Sequence, residues 1–174
     1  MLIDLRELLS GTKEEMKVSA VYEHDVFKTG VDSYEIIKKE PFDITLRRVS
    51  KNQVAVEGNG SVTLSIPCNR CLEPVDTIVD FDIDKVFNVN QEAGTEEDQE
   101  EQDYIDGYNL DVDELVFAEV LMNIPGKTLC SEDCKGLCLI CGNNLNIKDC
   151  GCDRESLDPR MSVFKDILNN FKEV

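Results

Sequence analysis

Six cysteines lie in the stretch from Cys130 to Cys152, both included. This cluster constrains the possible folds of the chain more than any other feature of the sequence. Their spacing is C-SED-C-KGL-C-LI-C-GNNLNIKD-C-G-C, and the other two cysteines form Cys68-Asn-Arg-Cys71. Eight cysteines could form disulfides, bind metal or pack as free thiols. The chain opens without the basic start and apolar segment of a signal peptide, so we expect a reduced, cytoplasmic protein. In that setting clustered thiols favour metal, and a Cys-x-x-Cys pair followed by glycine is typical of a turn that aims two thiolates at one ion.

Eight thiolates are enough for two tetrahedral zinc sites, each structural because four sulfurs leave no open position on the ion. One partition joins Cys138 and Cys141 with Cys150 and Cys152. The second site would then hold the four remaining cysteines, which are Cys68, Cys71, Cys130 and Cys134. Other partitions, or one site with four spare thiols, stay open. An iron–sulfur cluster also uses four cysteines, but nothing in the sequence favours it over Zn²⁺.

Alternating apolar and polar residues dominate the front half and predict antiparallel strands joined by short links. We expect an α+β fold, with an antiparallel sheet or a partly closed barrel in the front half and helices plus a cysteine-rich zinc knuckle behind it. The stretch 57–60 (Glu-Gly-Asn-Gly) predicts a turn or bulge within a hairpin. The residues that carry the alternation are Val18, Ala20, Tyr22, Phe42, Ile44, Leu46, Val54, Val56, Val62, Leu64, Ile66, Val75, Thr77, Val79, Phe81, Ile83, Phe87 and Val89.

An acidic run divides the chain into two regions. We expect a strand-rich domain over 1–90, with the Cys68/Cys71 hairpin in it, and a flexible linker over 91–104, because like charges repel and little there is apolar. Residues 105–174 should form a helical, zinc-binding region that packs on the front half. In that region Asp111 and Glu114 predict the start of a helix with an apolar stripe at Phe117, Val120, Leu121 and Ile124, which ends before Pro125.

A second helix is expected near the end of the chain. Asp158-Pro159 resembles a cap followed by proline at the first helical position, and an amphipathic pattern follows. The apolar residues of that pattern are Phe164, Ile167, Leu168 and Phe171. This helix should fold onto the sheet or dock on a partner.

The net charge of −18 argues against broad, unaided binding of nucleic acid, whose affinity comes mainly from lysine and arginine. Basic proteins are better partners, and ribosomal proteins are the obvious basic set. The strand after Cys71 carries a candidate surface for such a partner on its polar face, formed by Asp76, Asp80, Asp82 and Asp84. The same residues could also be an ordinary solvated strand face. No run of the sequence is apolar and long enough to cross a membrane.

No catalytic centre is evident from the sequence. His24 is the only histidine, and a lone histidine in a polar stretch is usually a surface residue. The cysteines are better explained as ligands than as nucleophiles, the carboxylates show no metal-nuclease spacing, and no glycine-rich phosphate loop is present. We therefore expect a protein without enzymatic activity.

An ordered series of motifs resembles the YceD family, which is named for large ribosomal RNA subunit accumulation. The resemblance covers nearly the whole chain and is far more specific than a single Cys-x-x-Cys. Its residues are Ile3-Asp4-Leu5-Arg6-Glu7-Leu8-Leu9, Cys68-Asn-Arg-Cys71-Leu72, Ile105-Asp106-Gly107, Leu110-Asp111, Glu119, Pro125, Leu129 to Cys138, Cys141 to Asn146, Cys150-Gly-Cys152 and Asp158-Pro159-Arg160.

The resemblance implies a bacterial cytoplasmic factor, or an organelle relative, needed for normal levels or processing of 23S ribosomal RNA in the large subunit. The acidic charge suggests that it handles a basic ribosomal protein or a processing enzyme, with indirect contact to RNA. Arg70, Lys135, Lys148 and Arg154 could touch phosphates locally, but they are better explained as offsetting the charge of the zinc sites. The competing hypotheses are a thiol or zinc redox sensor, through Cys138 and Cys141, and a nuclease acting on precursor RNA.

Overall fold

A computed structural model of the protein describes residues 1–89 and 104–152. The chain is built mostly of antiparallel strands, with two helices in the described residues. In chain order the elements are β1 (Leu2–Asp4), α1 (Arg6–Leu9), β2 (Glu15–Ala20), β3 (Val26–Lys28), β4 (Ser33–Lys39), β5 (Phe42–Arg48), β6 (Gln53–Pro67), β7 (Pro74–Asn88), β8 (Ile105–Asp106), β9 (Asn109–Asp111) and α2 (Val112–Asn123).

A six-stranded antiparallel sheet forms the body of the molecule, and β6 is its centre. One side of β6 pairs with β7 along its whole length, from Gln53↔Asn88 to Pro67↔Pro74. The other side is shared between β5 at one end and β4 at the other, and β2 and β3 extend these two arms. No ladder between described strands joins either arm to β7, so the sheet is open. The antiparallel sheet is confirmed, and the alternative of a partly closed barrel is wrong.

The predicted turn or bulge at 57–60 is also wrong, because these residues continue β6 without a break in register. A glycine within a strand can mark close packing instead of chain reversal, and Gly60 has this role. A Cβ atom at Gly60 would lie 2.6 Å from Cζ of Phe81 and 3.1 Å from Cβ of Phe42. The missing side chain therefore gives the two aromatic rings their place on the buried face.

Strands β3 and β4 were not predicted. Tyr34 and Ile36 in β4 are only half-buried, and a register shift between Ile36 and Lys38 breaks the alternation, leaving Ile37 half exposed. A bulge of this kind removes the regular period of two on which sequence reading depends. The partner strand β3 is three residues long, too short to show a pattern of its own.

Helix α2 closes one face of the large sheet and begins as predicted. The side chain of Asp111 accepts hydrogen bonds from the backbone N–H groups of Asp113 (3.0 Å) and Glu114 (3.5 Å), which confirms its capping role. The buried face differs from the predicted stripe, because Leu121 is exposed. The buried apolar residues of the helix are Val112, Leu115, Val116 and Val120.

A small sheet joins the start of the chain to the segment before α2. Its strand order is β1-β9-β8, with Ile3 opposite Leu110 and Leu110 opposite Ile105. Ile3, Leu5, Leu8 and Leu110 are buried in the same apolar core as the large sheet and α2. Residues on both sides of the acidic run therefore share one core.

The linker predicted over 91–104 lies outside the described residues except for Tyr104, and so does the helix predicted after Asp158. Within the described ranges, none of the helices has the length and apolar character that a membrane span requires.

Candidate metal centre

The first cysteine tetrad lies at the tip of the β6–β7 hairpin. Cys68 and Cys71 occupy the turn, and the segment after α2 brings Cys130 and Cys134 to them, so that all four sulfurs lie within 4.8 Å of one another. Cys68, Cys71 and Cys134 are buried and form a small cluster with Val75, Leu129 and Leu137, apart from the main core. Cys130 is exposed.

Backbone contacts hold the hairpin tip against that segment. The N–H of Asn69 donates to the carbonyl of Thr128 (2.9 Å), and the Thr128 N–H donates to the side-chain oxygen of Asn69 (2.7 Å). The guanidinium of Arg70 donates to the carbonyls of Glu132 (3.0 Å) and Cys134 (2.8 Å). Arg70 therefore connects the hairpin tip to the segment that carries Cys130 and Cys134. The sequence did not reveal this structural role.

The second tetrad lies further along the same segment. Cys138, Cys141, Cys150 and Cys152 have their sulfurs within 4.8 Å of one another. Only Cys138 is buried, Cys141 is exposed, and the last two are half-buried. The structure thus brings together the two groups of four given by one of the possible partitions, and zinc ligation by these residues stays a prediction.

The two Cys-x-x-Cys turns have the same backbone geometry. The N–H of Leu72 donates to the carbonyl of Cys68 (2.9 Å), and that of Gly142 donates to Cys138 (2.8 Å). Both residues have a left-handed backbone, with φ of 62° for Leu72 and 73° for Gly142. Glycine adopts this conformation freely, whereas leucine is strained in it. The first turn therefore keeps a strained residue, with its side chain exposed to solvent.

The sulfur separations match a tetrahedral ion and exclude a disulfide. Cys71 and Cys130 have sulfurs 3.5 Å apart, and Cys68 and Cys134 have sulfurs 3.9 Å apart. A zinc–sulfur bond of about 2.3 Å in tetrahedral geometry places two sulfurs about 3.8 Å apart, whereas a disulfide needs about 2.0 Å. All eight cysteines are free thiols. The first tetrad therefore fits zinc, which would stabilise the local fold there.

Backbone N–H groups favour the thiolate form of a cysteine in each tetrad, Cys68 in the first and Cys138 in the second. The N–H groups of Cys141 and Ile140 lower the pKa of Cys138 to about 6. Burial opposes ionisation of Cys68, but the N–H groups of Arg70 and Cys130 outweigh it and lower its pKa to about 6. Neighbouring sulfurs raise the pKa of Cys130, and of Cys152, to about 12. Each tetrad therefore holds negative charge that a cation would neutralise.

Asn146 also contacts the first tetrad, a role that the sequence motif containing it did not reveal. Its side-chain N–H donates to the sulfur of Cys134 (3.2 Å), and its side-chain oxygen accepts from the backbone N–H of Lys135 (2.7 Å). Hydrogen bonds to ligand sulfurs orient them and tune the metal. No spacing rule marks such a residue, because it comes from the second knuckle and reaches the first.

The four aspartates predicted to bind a partner lie together on β7. Asp76, Asp80, Asp82 and Asp84 are exposed, on the face opposite the buried residues of that strand. His24 is also exposed, with its ring 5.4 Å from that of Tyr22. Among the described residues, no side-chain hydrogen bond or ion pair joins either feature to the cysteine tetrads.

Comparison with known proteins identifies the family. The family model described as "Large ribosomal RNA subunit accumulation protein YceD" matches residues 56–168, which is more than half of the chain. The chain belongs to the YceD family. Both tetrads and the whole of β7 lie inside the part that matches the YceD model, whereas the strands before β6 lie outside it.

Individual relatives of this YceD protein are distant. An uncharacterized protein of Mycobacterium tuberculosis is 27% identical over 148 residues, covering 83% of this chain and 70% of the relative. An uncharacterized protein of Mycobacterium leprae is 28% identical over 131 residues, covering 74% and 59%. The chloroplastic "Large ribosomal RNA subunit accumulation protein YCED homolog 1" of Arabidopsis thaliana is 26% identical over 135 residues, covering 62% and 42%. No solved structure matches the chain.

Proposed function

We propose that this protein is a non-enzymatic factor for the accumulation and processing of 23S ribosomal RNA and for biogenesis of the large ribosomal subunit. It acts by binding a basic ribosomal protein or a processing factor. Membership of the YceD family, and the name of the Arabidopsis relative, support the ribosomal role.

The outer face of β7 carries the proposal for a basic partner. None of its four aspartates has an ion-pair partner within 4.0 Å among the residues that the structure describes. Lys85, the one basic residue of β7, points to the opposite face and pairs with Glu119 of α2 (2.7 Å). The negative charge of the outer face is therefore open to a partner, and it repels phosphate.

The tetrads support a role without catalysis. Four sulfurs fill the coordination of a tetrahedral ion, so neither site would leave a position for water or substrate. Purified protein incubated with precursor ribosomal RNA and a divalent metal ion should leave the transcript intact. Cleavage at a specific position would overturn the non-enzymatic role.

Depletion of the protein in its own cells tests the ribosomal role. We expect a selective fall in the ratio of large- to small-subunit ribosomal RNA, or retention of precursor ends, because the large subunit would lack one of its assembly factors. RNA quantification and mapping of the ends provide the readout. An unchanged ratio with normal ends would refute the role.

Neutralising the outer face of β7 tests the partner. Changing Asp76, Asp80, Asp82 and Asp84 to asparagine should weaken the capture of ribosomal proteins and leave folding intact. The matched control removes four exposed acids elsewhere, by Glu14→Gln, Glu35→Gln, Asp106→Asn and Glu114→Gln, and should not reduce capture. Equal capture by both variants and the unmodified protein would mean that this face is not the binding surface.

A thiol or zinc redox sensor is the second candidate, and the exposure of Cys141 favours it. An oxidant reaches an exposed thiolate more readily than a buried one. Mild peroxide would then oxidise the Cys138–Cys141 turn, release metal and unfold this knuckle. Titration of free thiols and released zinc before and after peroxide separates the candidates, since complete resistance indicates a purely structural site.

A further inference from the structure

The ladder between β6 and β7 decides which backbone groups of β7 point away from the sheet. At one end the N–H of Cys68 donates to the carbonyl of Glu73 (2.8 Å), and at the other the N–H of Val89 donates to Asn52 (2.7 Å). In antiparallel pairs, hydrogen-bonded and non-bonded positions alternate. The bonded residues are odd-numbered at both ends (Glu73 and Val89), and the register between them is unbroken. The odd-numbered residues of β7 therefore bond to β6 along the whole strand. The even-numbered residues therefore direct their N–H and C=O groups to the outer edge.

Within residues 1–89 and 104–152, this outer edge is unpaired. Among the described residues β7 pairs only with β6, and none donates to or accepts from the backbone of the even-numbered residues between Asp76 and Val86. Helix α2 packs on the other face of the strand, where Lys85 meets Glu119. A long strand with a free row of backbone groups is a template for another strand.

The residues with free backbone groups also carry the exposed charges. Asp76, Asp80, Asp82 and Asp84 present carboxylates on the outer face, and Ile78 among them is 68% exposed. On the neighbouring strand β6, Glu57 forms an ion pair with Arg47 of β5 (3.4 Å), whereas no described cation pairs with the aspartates of β7. Carboxylates opposite carboxylates oppose pairing with a second copy, while basic residues opposite them favour it.

We propose that the outer edge of β7 binds an extended lysine- or arginine-rich segment of a basic protein as an added strand. The inference rests on the proposed function and names how the partner is held. Directly opposite residues of paired strands have Cβ atoms about 5 Å apart, and side chains on one face recur at every second residue. The segment would thus carry basic residues at alternate positions, facing Asp80, Asp82 and Asp84, and an apolar residue facing Ile78.

Amide hydrogen exchange of the full-length, zinc-supplied protein tests the added strand residue by residue. The probe is a synthetic peptide of about nine residues that alternates lysine and valine, except that valine replaces the lysine that would face Ile78, and it is long enough to span the edge. We expect slower exchange for the amides of Ile78, Asp80 and Asp82, which point outward. Amides of the odd-numbered residues, already bonded to β6, should not change. A peptide with glutamate in place of lysine is the control and should not bind.

Two substitutions at one residue separate backbone pairing from side-chain contact. Ile78→Pro removes an outward N–H without removing a bond to β6, and should weaken the lysine peptide about tenfold. Ile78→Ala keeps the N–H and should weaken it less than about threefold. Exchange of the odd-numbered amides shows whether each variant keeps the sheet. If the proline variant does not fold, the exchange pattern of the unmodified protein decides the question.

Several results would overturn the added strand. These are binding of the lysine peptide without slower exchange of the even-numbered amides, absence of binding, or equal binding of the glutamate peptide. Slow exchange of those amides without peptide, in a protein that sediments as a dimer, would mean that the edge pairs with a second copy. Cell depletion tests the ribosomal role separately. Normal ribosomal RNA after depletion, together with edge amides that the peptide protects, would refute only the ribosomal role. Altered ribosomal RNA without protection of those amides would refute only the added strand.

Discussion

At the scale of single residues, Gly60 shows how a missing side chain shapes the sheet. The rings of Phe42 and Phe81 meet edge to face, with their centroids 5.1 Å apart. Both pack against the backbone of Gly60, in the stretch of β6 between the residues that pair with β5 and those that pair with β4. Any Cβ atom there would displace a buried aromatic ring.

We expect Gly60→Ala to lower the free energy of unfolding by about 1–3 kcal/mol, because overpacking forces buried rings from their positions. Urea denaturation with a fixed zinc concentration gives this value. Gly30→Ala is the matched control, since nothing lies within 4 Å of its Cβ position, and it should leave stability unchanged or slightly higher. Equal stability of the two variants would contradict the packing argument.

At the scale of elements, α2 depends on a cap next to it in the sequence and on an apolar core formed by distant residues. Asp111 ends β9 and caps α2, so one residue joins the small sheet to the helix. The helix then buries its apolar face in the main core, where Phe117 stacks on Phe27 with centroids 4.7 Å apart. The cap determines where the helix begins, and the core determines which face is buried.

Asp111→Ala should destabilise the protein by about 1 kcal/mol, because two N–H groups at the start of α2 lose their acceptor. The backbone bond from the Asp111 N–H to the carbonyl of Tyr104 (2.8 Å) remains in the variant. Thermal unfolding followed by circular dichroism measures the change. Asp106→Ala removes the same charge from an exposed residue of β8 and should have little effect, so a similar loss in both would argue against capping.

At the scale of the whole molecule, the apolar core and the cysteine tetrads form separate clusters. The core joins both sheets and α2, whereas the first tetrad has its own small cluster at the hairpin tip. The second tetrad has little apolar burial, and its neighbours Leu139 and Ile147 are exposed. With so little apolar burial, this segment would draw its folding energy from the predicted metal binding.

Loss of one ligand should therefore unfold the knuckle and leave the sheet intact. Cys138→Ser should reduce bound zinc from two ions to one and expose residues 138–152 to protease, while the strand signal in circular dichroism persists. Leu139→Ser is the control, because this exposed residue of the same turn offers no ligand. Unchanged metal content and unchanged proteolysis in Cys138→Ser would refute zinc binding by the second tetrad.

Local patterns in the sequence determined the parts of this protein that depend on near neighbours. Alternation identified β5, β7 and the ends of β6, and the Asp111–Glu114 pair marked the start of α2. The cysteine spacing allowed several partitions, and one of them gives the two groups of four whose sulfurs the structure places together. Each signal is carried by residues a few positions apart, because strand alternation, capping and knuckle turns are short-range effects.

Only the tertiary structure decided how distant segments meet. It left the sheet open by placing β4 and β5 on the same side of β6, and it kept residues 57–60 within a continuous strand where a turn was expected. It also brought Cys68 to Cys134, 66 residues away, through the contacts of Asn69 and Arg70. These outcomes depend on packing between surfaces that no short stretch of sequence contains. The acidic edge of β7, unpaired within the described part of the chain, arises in the same way, since an edge exists only where no other strand has paired.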